Sequence, residues 1–566
     1  MLTILGINSA YHESAAALLV DGRCVAAAEE ERFTGIKHAK RARIDNPDEL
    51  PVHSMCWCLE RGGLQLDQVD AIAFSFSPGL RRANVGVDGE SGAEGWGTVE
   101  GERVFEDHLL AVPRRLSELA SSDLTERFFW VEHHHAHAAS AFFPSPYPSA
   151  AILSIDGIGE VTTTWLGRGE GIDLIKEGAI RYPHSLGLLW EKISLFLGFD
   201  RYAAGTTMGL AAWGRPGRYR PEMERLLQVD EGRFRVEASL ARLRSDSFAA
   251  LEGLFGIPRR KPGDPLVREH MDVAAALQEA TERVGVSLAQ WLRERTGEKS
   301  LCLAGGVALN CRMNEAIARA DLFESIFVQP AAHDAGTALG AALWVWHVHR
   351  REARRWTMSH AFLGPAFEPD RALGALERFR GRLRWETVRD PVEVAVERLA
   401  GGECIGWFHG QLEFGPRALG NRSILCDPRQ DGAARRLNER VKRREWFRPF
   451  AGSFLTEEAG GWLDLAGEHP AYRYMTMTAA MRSGELPGVT HRDGTCRPQL
   501  VTPKGFTSLR AVLETFRDAA GVPALLNTSL NLRGRPLAGP PSAALRCLLD
   551  SELDALVIPP YLVERT

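Results

Sequence analysis

Apolar and polar positions along residues 2–31 follow the pattern of a strand, a polar turn and a hairpin. The stretch is LTILGINSAYHESAAALLVDGRCVAAAEEE. An Asp-Gly pair between two apolar runs, here Asp21-Gly22, is a strong local indication of a tight hairpin turn. Residues 150–178, AAILSIDGIGEVTTTWLGRGEGIDLIKEG, repeat this plan. The repetition predicts a duplicated α/β domain with a cleft between its halves, and two unrelated hairpins are the alternative.

Helical spacing of apolar residues dominates the stretch that follows. Residues 267–298 contain VAAALQEATERVGVSLAQWL, and the spacing predicts a long core helix. LCLAGGVALNCRMN then predicts a strand, a turn at Gly305-Gly306 and a helix that begins near Asn310. IFVQPAAHDAGTALGAAL predicts a further strand, a polar turn with Asp334, and a helix of small residues. Small residues in that helix would let backbone or ligand approach closely.

A change of pattern near residue 356 marks a domain boundary. The charged stretch HVHRREARRW closes the first region, and we place the boundary between residues 355 and 370. The predicted domains are therefore 1–358 and 359–566. In contrast, residues 77–105 are rich in glycine and charge and lack periodicity. They indicate a surface insertion that could act as a lid.

The bulk composition excludes several classes of protein. The chain has 566 residues, a formal net charge of −5 and a pI near 6.4, so nucleic acid is not an expected partner. No run of about 18 apolar residues is present, which argues against a membrane span. The N-terminus has the pattern of a first core strand, not of a signal peptide. Nine cysteines without a CxxC pair favour reduced thiols in a cytoplasmic protein.

Two histidines and two acids form a candidate metal site. His133 and His137 in EHHHAHAASAFF are four positions apart, so a helix places them on one face. Asp156 and Asp334 each follow a predicted strand, where α/β domains gather ligands and catalytic groups. Two imidazoles and two carboxylates suit iron, manganese or zinc. The alternative is a polar helix start that binds nothing.

Basic residues are concentrated in the second domain. Seven lie between Arg435 and Arg448. Arg435, Arg436, Arg443 and Arg444 are interpreted as a solvated helix face. Arg448, like Arg417 and Arg497, stands beside a proline in an apolar or glycine-rich setting, where a guanidinium needs an anionic or carbonyl partner. With Lys442, Asn527 and Ser529, these three arginines predict a site for a phosphorylated small molecule or a triphosphate.

Nine motifs in this order resemble one family. They are HHHAHAASAFF, IDGIGE, MGLAAWG, AGGVALN, HDAGTALGAA, GPRALGNRS, REWFRPFAGSF, RPQLV and LNTSLN. Together they are similar to the O-carbamoyltransferases typified by the tobramycin and nodulation-factor enzymes. The resemblance implies a first domain of the actin/Hsp70/sugar-kinase superfold, similar to the tRNA threonylcarbamoyl-transferase. It implies a YrdC-like α/β second domain.

The resemblance also implies a reaction in two stages. Carbamoyl phosphate and ATP, with Mg, would form carbamoyl adenylate in the second domain. A hydroxyl of a small-molecule acceptor would then take the carbamoyl group in the first domain, and a homodimer is compatible with the family. The implied roles are an iron-type ion on His133, His137, Asp156 and Asp334; catalysis by His12 and Asp156; nucleotide contacts from Gly305, Gly306, Asn310 and Lys37; and phosphate contacts from Arg417, Lys442, Arg448, Arg497, Asn527 and Ser529.

Several alternatives stay open. His12 could be a satisfied loop histidine instead of a base for the acceptor hydroxyl. A hydrogenase-maturation carbamoyltransferase shares both domain types, but such chains add an acylphosphatase domain and paired cysteines. A non-catalytic nucleotide-binding regulator on an actin-like fold is the third interpretation. The matched motifs are those that the family uses for its common carbamoyl donor, so they do not identify the acceptor.

Overall fold

The computed structural model describes residues 1–82, 94–504 and 507–566. The chain forms two compact units. The first contains Met1–Glu30 and Lys40–Met358, and the second contains Glu31–Ala39 and Ser359–Thr566. The short segment Glu31–Ala39 therefore belongs with the second unit, although it directly follows a strand of the first.

The strands of the first unit form two main sheets and a small hairpin. The first sheet has strands β1 (Thr3–Asn8), β2 (Ala15–Val20), β3 (Arg23–Glu29), β4 (Ala71–Phe74) and β5 (Phe128–Trp130). The second sheet has β6 (Ser149–Ile155), β7 (Thr162–Glu170), β8 (Asp173–Arg181), β11 (Ser300–Ala304) and β12 (Ser325–Val328). The hairpin joins β9 (Leu227–Asp230) to β10 (Arg233–Val236).

The two sheets have the same topology. The strand orders are β3-β2-β1-β4-β5 and β8-β7-β6-β11-β12. In each, the first three strands in the chain are antiparallel neighbours, and the next two extend the sheet in parallel from the first strand. The turn between β2 and β3 has positive φ at Asp21 and Gly22, as tight hairpins require. This topology confirms the duplicated fold of the actin/Hsp70/sugar-kinase class.

Helices cover the sheets of the first unit. In chain order they are α2 (Val52–Gly62), α3 (Pro78–Arg82), α4 (Val99–Leu110), α5 (Val112–Ala120), α6 (His133–Phe142), α7 (Leu186–Phe196), α8 (Ala204–Ala211), α9 (Arg220–Leu226), α10 (Ala238–Ala241), α11 (Ala249–Phe255), α12 (Arg268–Thr296), α13 (Cys311–Arg319) and α14 (Ala335–Trp344). Helix α12 is the long core helix that the apolar spacing predicts. No helix of the described residues is long and apolar enough to cross a membrane.

Helix α14 lies against α6 and the first sheet because its residues are small. A Cβ on Gly340 would come within 1.8 Å of the carbonyl oxygen of Ala136 in α6. Only glycine allows this approach, which brings the start of α14 close to the histidines of α6. The expected close approach of backbone in this helix is therefore present.

The predicted insertion at residues 77–105 is partly helical. Helix α3 ends at Arg82, and α4 begins at Val99, where the side chain of Thr98 caps it by accepting a bond from Gly101 N. Phe105 and Leu109, one turn apart on α4, are fully buried. The expectation of an aperiodic segment is wrong for these parts, because the glycine-rich context hides the helix. Residues 83–93, in the middle of the proposed lid, lie outside the described residues.

The second unit is a mixed α/β domain. Its strands are β13 (Leu383–Thr387), β14 (Ile405–Phe408), β15 (Arg422–Cys426), β16 (Ala451–Leu455), β17 (Leu463–Asp464), β18 (Ala479–Met481), β19 (Thr495–Val501), β20 (Ala524–Ser529), β21 (Ala555–Ile558) and β22 (Tyr561–Arg565). Their order is β13-β22-β21-β14-β15-β20-β16-β19-β18-β17. The helices are α1 (Glu31–Thr34), α15 (Pro369–Glu377), α16 (Pro391–Ala400), α17 (Ala433–Arg436), α18 (Thr507–Ala520) and α19 (Pro541–Leu549). The predicted α/β class of the second domain is confirmed.

One pair of cysteines in this unit departs from the sequence expectation. Cys404 and Cys426 form a disulfide, with their Cα atoms 4.6 Å apart. The antiparallel register of β14 and β15 pairs Ile405 with Leu425, so the two cysteines face each other across neighbouring strands. The expectation of reduced thiols throughout is wrong for this pair, because a separation of 22 residues conceals the proximity.

Candidate active site

Helix α6 presents two histidines toward the end of the second sheet. His133 and His137 are one turn apart, and both side chains are fully buried. Nδ1 of His133 lies 3.2 Å from the carbonyl oxygen of Ser75, so this nitrogen is placed to donate. A carbonyl partner on one ring nitrogen leaves the other, Nε2, as the nitrogen available to a ligand.

Four ligand atoms converge in front of α6. Asp156 follows β6, and Asp334 immediately precedes α14. Nε2 of His133 lies 3.3 Å from Oδ2 of Asp156 and 3.6 Å from Oδ1 of Asp334. Nε2 of His137 lies 3.5 Å and 3.7 Å from the same two atoms, and 3.1 Å from the His133 Nε2. The structure thus brings together all four residues that the sequence predicts as metal ligands, with their donor atoms within 4.8 Å of one another.

Backbone groups hold the two ends of this cluster. The amide of Gly306, just after β11, donates to Oδ1 of Asp156 at 2.8 Å. Oε1 of Glu160 accepts from the amides of His133 and Ser77 at 3.0 and 2.7 Å. Glu160 is buried and fixes the first residue of α6, and it is not among the predicted site residues. Its position in IDGIGE, four residues after Asp156, was the available indication.

The electrostatics of the cluster favour a bound cation. Burial alone would lower the pKa of His133, but Asp334 and Asp156 outweigh it and raise the value to about 9. The imidazoles in turn hold the pKa of Asp156 well below its usual range, against the effect of burial. Positive charge in front of α6 is therefore strongly stabilised.

The donor set fits a divalent metal ion. Nδ1 of His137 is buried and has no hydrogen-bond partner among the described residues. Its other nitrogen points at the His133 Nε2, which a metal ion shared by both would explain. Two imidazoles and two carboxylates are a ligand set for iron, manganese or zinc.

His12 is the most exposed member of this cluster. It lies in the loop after β1, and its Nδ1 is 3.5 Å from Oδ2 of Asp334. Its ring stacks on Tyr202, with ring centroids 4.7 Å apart. The side chain is 26% exposed, whereas those of the four ligands are at most 10% exposed. His12 is therefore the group of this cluster that an acceptor can reach most easily.

The predicted nucleotide residues occupy three different settings. Gly305 and Gly306 follow β11 beside Asp156. The side chain of Asn310 caps α13 by accepting from Met313 N at 3.0 Å, and it also exchanges two hydrogen bonds with Gln278. Lys37 is exposed and belongs to the second unit, in the segment Glu31–Ala39. The structure therefore does not bring Lys37 into one unit with the other three.

A second cluster, of cations, lies in the second unit. Lys442 is buried, and its Nζ donates to Oγ of Ser529 at 3.2 Å and to Oδ1 of Asn531 at 2.7 Å. In the sheet, Ala451 of β16 pairs with Asn527 of β20 on one side and with Arg497 of β19 on the other. Paired residues point to the same face, so these predicted phosphate ligands share one face of the sheet.

Burial and the neighbouring positive charges lower the pKa values of cations in this cluster. Burial, and then Arg444 and Arg448, hold the pKa of Lys442 well below its usual range. Burial also lowers the pKa of Arg448, and Arg497 adds to the effect. The acid near Arg448 is Glu445, at 4.0 Å. Such a cluster is stabilised by anions, which is the property that a phosphate site needs.

Arg444 does not lie on the solvated helix face that the sequence predicts for the basic residues between Arg435 and Arg448. Its Nε donates to Oδ1 of Asn438 at 2.7 Å, and its guanidinium lies 4.7 Å from the centre of the Phe450 ring. Burial, followed by Arg448 and Arg497, holds its pKa well below its usual range. The solvated-face interpretation is wrong for Arg444. A π-helix, Leu437–Lys442, continues α17 and ends at Arg443, where φ is 46°.

The other three members of the proposed face lie nearer the surface. Arg435 and Arg443 are exposed, and Arg436 pairs with Asp554 at 2.7 Å.

Arg417 stands on a loop that a buried glutamate organises. Oε1 of Glu413 accepts hydrogen bonds from the amides of Leu419, Asn421 and Arg422 at 2.8, 2.9 and 3.2 Å. Glu413 is fully buried. The carboxylate therefore fixes the path of residues 413–422, and with it the position of Arg417, which is half-buried. This role of Glu413 has no signature in the sequence beyond its place in the motif LEFGPRALGNRS.

Comparison with known families identifies the chain. A family described as "Carbamoyltransferase N-terminus" matches residues 3–343, and one described as "Carbamoyltransferase C-terminus" matches residues 396–565. This chain belongs to the carbamoyltransferase family. The predicted membership, and the prediction that the protein is a carbamoyltransferase enzyme, are confirmed.

Relatives of this carbamoyltransferase include a nodulation protein and a cephem carbamoyltransferase. Nodulation protein NolNO of Sinorhizobium fredii is 36% identical, over 99% of this chain and 80% of its own length. The 3'-hydroxymethylcephem-O-carbamoyltransferase of Streptomyces clavuligerus is 30% identical, over 72% of this chain and 75% of its own. Among solved structures, HypF of T. kodakarensis matches 62% of this carbamoyltransferase and 48% of its own chain, with 14% identity and a TM-score of 0.31.

Proposed function

We propose that this carbamoyltransferase moves a carbamoyl group from carbamoyl phosphate, through carbamoyl adenylate, to a hydroxyl of a small-molecule acceptor. The observation that carries the proposal is the cation cluster of the second unit. Burial and the neighbouring arginines lower the pKa values of Lys442, Arg444 and Arg448, and bound anionic substrates would raise them again. An acyl phosphate and a triphosphate repel each other, so several fixed cations are needed to hold both.

The first stage would take place at this cluster. Water releases phosphate from carbamoyl phosphate and leaves carbamate. A carbamate oxygen then attacks the α-phosphorus of ATP, and pyrophosphate leaves with the electron pair of the broken bond. The products are carbamoyl adenylate, pyrophosphate and phosphate. Adenylation is required because nitrogen donates into the carbamate carbonyl and makes it a poor electrophile.

The second stage would take place in front of α6. The acceptor hydroxyl attacks the carbamoyl carbon, AMP leaves, and the hydroxyl proton passes to a base. His12 is the candidate base, since it is the most exposed member of the cluster and its Nδ1 lies next to Asp334. His133, His137, Asp156 and Asp334 would hold a divalent ion, which supplies Lewis-acid stabilisation of negative charge when bound. Exclusion of water would protect the adenylate from hydrolysis.

The names of two relatives support a proposal for the acceptor class. One named relative acts on a hydroxymethylcephem, and another is a nodulation protein. The name of the cephem relative fits a small-molecule acceptor with a hydroxyl group. We therefore propose a natural-product or sugar-like hydroxyl as the acceptor.

A stage-resolved assay tests the proposal. Pyrophosphate release that depends on carbamoyl phosphate and ATP reports the first stage without an acceptor. His133→Ala should leave this release intact and abolish transfer to an acceptor. Arg448→Ala should weaken carbamoyl phosphate binding by about 1.5–3 kcal/mol, the contribution of a charged hydrogen bond.

The exposed Arg443→Ala is the matched control, and it should bind carbamoyl phosphate normally. Absence of carbamoyl-phosphate-dependent pyrophosphate release in the unaltered protein would contradict the proposal. Equal loss of both stages in His133→Ala would contradict the assignment of the stages to different units.

A further inference from the structure

A chain of side-chain amides runs through the interior of the second unit, beside the cation cluster. Nε2 of Gln499 donates to the carbonyl oxygen of Leu419 at 2.7 Å. Oε1 of Gln499 accepts from Nδ2 of Asn527 at 3.1 Å and from Oγ of Ser453 at 2.7 Å. Oγ of Ser453 also accepts from Nδ2 of Asn527 at 2.9 Å. The three side chains are almost completely buried.

This chain decides which way the Asn527 amide faces. The Leu419 carbonyl can only accept, so Gln499 must direct its NH2 group there and its oxygen toward Asn527. Asn527 must then direct its own NH2 group toward Gln499. A reversed Asn527 would place two carbonyl oxygens against each other. The orientation of Asn527 is therefore set by the backbone, through Gln499.

The consequence is a buried acceptor that faces away from Gln499. Oδ1 of Asn527 is buried and accepts no hydrogen bond from any of the described residues. A buried carbonyl without a donor is costly, and such groups in native proteins generally meet a ligand or water. Asn527 lies on the same face of β20 as Ser529, which contacts Lys442. Asn527 and Arg497 also both pair with Ala451 of the strand between them, so they lie side by side on one face of the sheet.

We infer that Gln499 is a positioning residue that makes the donor site selective for an acyl group bearing N–H. The inference rests on the proposed function, and it concerns how the first stage distinguishes carbamoyl phosphate from other acyl phosphates. The carbamoyl NH2 group donates to Oδ1 of Asn527. Acetyl phosphate has a methyl group at that position, so it would leave the oxygen unpaired. Sites built to bond a substrate N–H reject analogues that lack it.

The experiment compares two acyl phosphates as probes. Pyrophosphate release from ATP is measured with carbamoyl phosphate and with acetyl phosphate, and the ratio of the two kcat/KM values is the readout. Both donors consume one water and release phosphate and pyrophosphate, so the reactions are equivalent in stoichiometry. The unaltered protein should favour carbamoyl phosphate strongly.

Gln499→Leu removes the constraint on Asn527 while keeping a side chain of similar size. The kcat/KM with carbamoyl phosphate should fall by about 10- to 100-fold, the range for one hydrogen bond to a buried group. The value with acetyl phosphate should stay the same, so the ratio collapses. Ser453→Ala is the second variant, with a smaller change in volume, and it should lower the ratio in the same direction. Thr490→Val, which removes a hydrogen bond to Leu486 outside this chain of amides, should leave the ratio unchanged.

The outcomes separate the two levels of the proposal. An equal loss with both donors in Gln499→Leu would mean a purely structural role and would overturn the inference. An unchanged ratio, or an unaltered protein that uses both donors equally, would overturn it as well. If Gln499→Leu does not fold, the ratio in Ser453→Ala decides. No pyrophosphate release with either donor from the unaltered protein would overturn the proposed function itself.

Discussion

Glu413→Gln tests how strongly one carboxylate fixes the loop that carries Arg417. The substitution keeps the shape of the side chain and removes its charge. One oxygen can still accept from the amides of Leu419, Asn421 and Arg422. The new NH2 group takes the place of Oε2, which is buried and accepts no hydrogen bond from the described residues.

The magnitude follows from the three bonds. A hydrogen bond to a charged group contributes about 1.5–3 kcal/mol, and a neutral one about 0.5–1.5 kcal/mol. The difference is about 1 kcal/mol per bond, so three bonds amount to roughly 3 kcal/mol. For a domain of about 150–250 residues, 1 kcal/mol shifts Tm by about 2–4 °C. The unfolding transition of the second unit should therefore move down by about 6–12 °C.

Differential scanning calorimetry measures this shift directly. Glu397→Gln, an exposed substitution of the same type on α16, is the control and should leave the transition in place. Carbamoyl phosphate affinity should also fall in Glu413→Gln, because the Arg417 loop loses its anchor. A transition in Glu413→Gln that coincides with that of Glu397→Gln would refute the reasoning, since the three amides would then not depend on the charge.

Two further predictions concern Arg354 and Lys442. Arg354 donates to the carbonyl oxygens of Phe142, Phe143 and Ser145 at the end of α6. Thermal unfolding should therefore show that Arg354→Met destabilises the first unit by about 1.5–3 kcal/mol. The control Arg350→Met, at an exposed position, should not change the stability. Burial and neighbouring arginines lower the pKa of Lys442, and a bound phosphate would raise it again. Binding of the donor should therefore take up a proton, and the affinity should fall as the pH rises. This fall should begin at pH values where an ordinary lysine, with a pKa of 10.5, is still fully charged. Calorimetric titration in buffers of different ionisation enthalpy measures the uptake, and an equal proton count in Lys442→Met would contradict it.

The sequence predicts the first unit well because its signals are local. The pattern of an apolar strand, a tight turn and a second strand occurs twice in the sequence, and the two sheets have the same strand order. Asp156 and Asp334 each follow a strand, and His133 and His137 are spaced by one helical turn. Local patterns therefore suffice to bring the four side chains together, since parallel strands end at one edge of a sheet.

The parts that the sequence does not predict depend on long-range or irregular structure. Arg444 belongs to a basic run that fits a regular helix, and only the left-handed turn at Arg443 redirects it inward. Cys404 and Cys426 meet because two strands pair, which their spacing does not reveal. Gln499 has no motif of its own in β19, and its role appears only from its contacts with Leu419 and Asn527.

The nine residues Glu31–Ala39 give this enzyme an unusual covalent layout. The chain passes between its units at residues 30/31, 39/40 and 358/359. Arg32 in the short segment is buried in the second unit, where it donates to the carbonyl oxygen of Gly415 at 2.8 Å, two residues before Arg417. A fragment that starts at Ser359 lacks this guanidinium. A chimera of two relatives that exchanges only the part from Ser359 onward would take the Arg417 loop from one parent and the segment Glu31–Ala39 from the other. To keep the contact between Arg32 and Gly415 within one parent's sequence, the exchange has to include both segments.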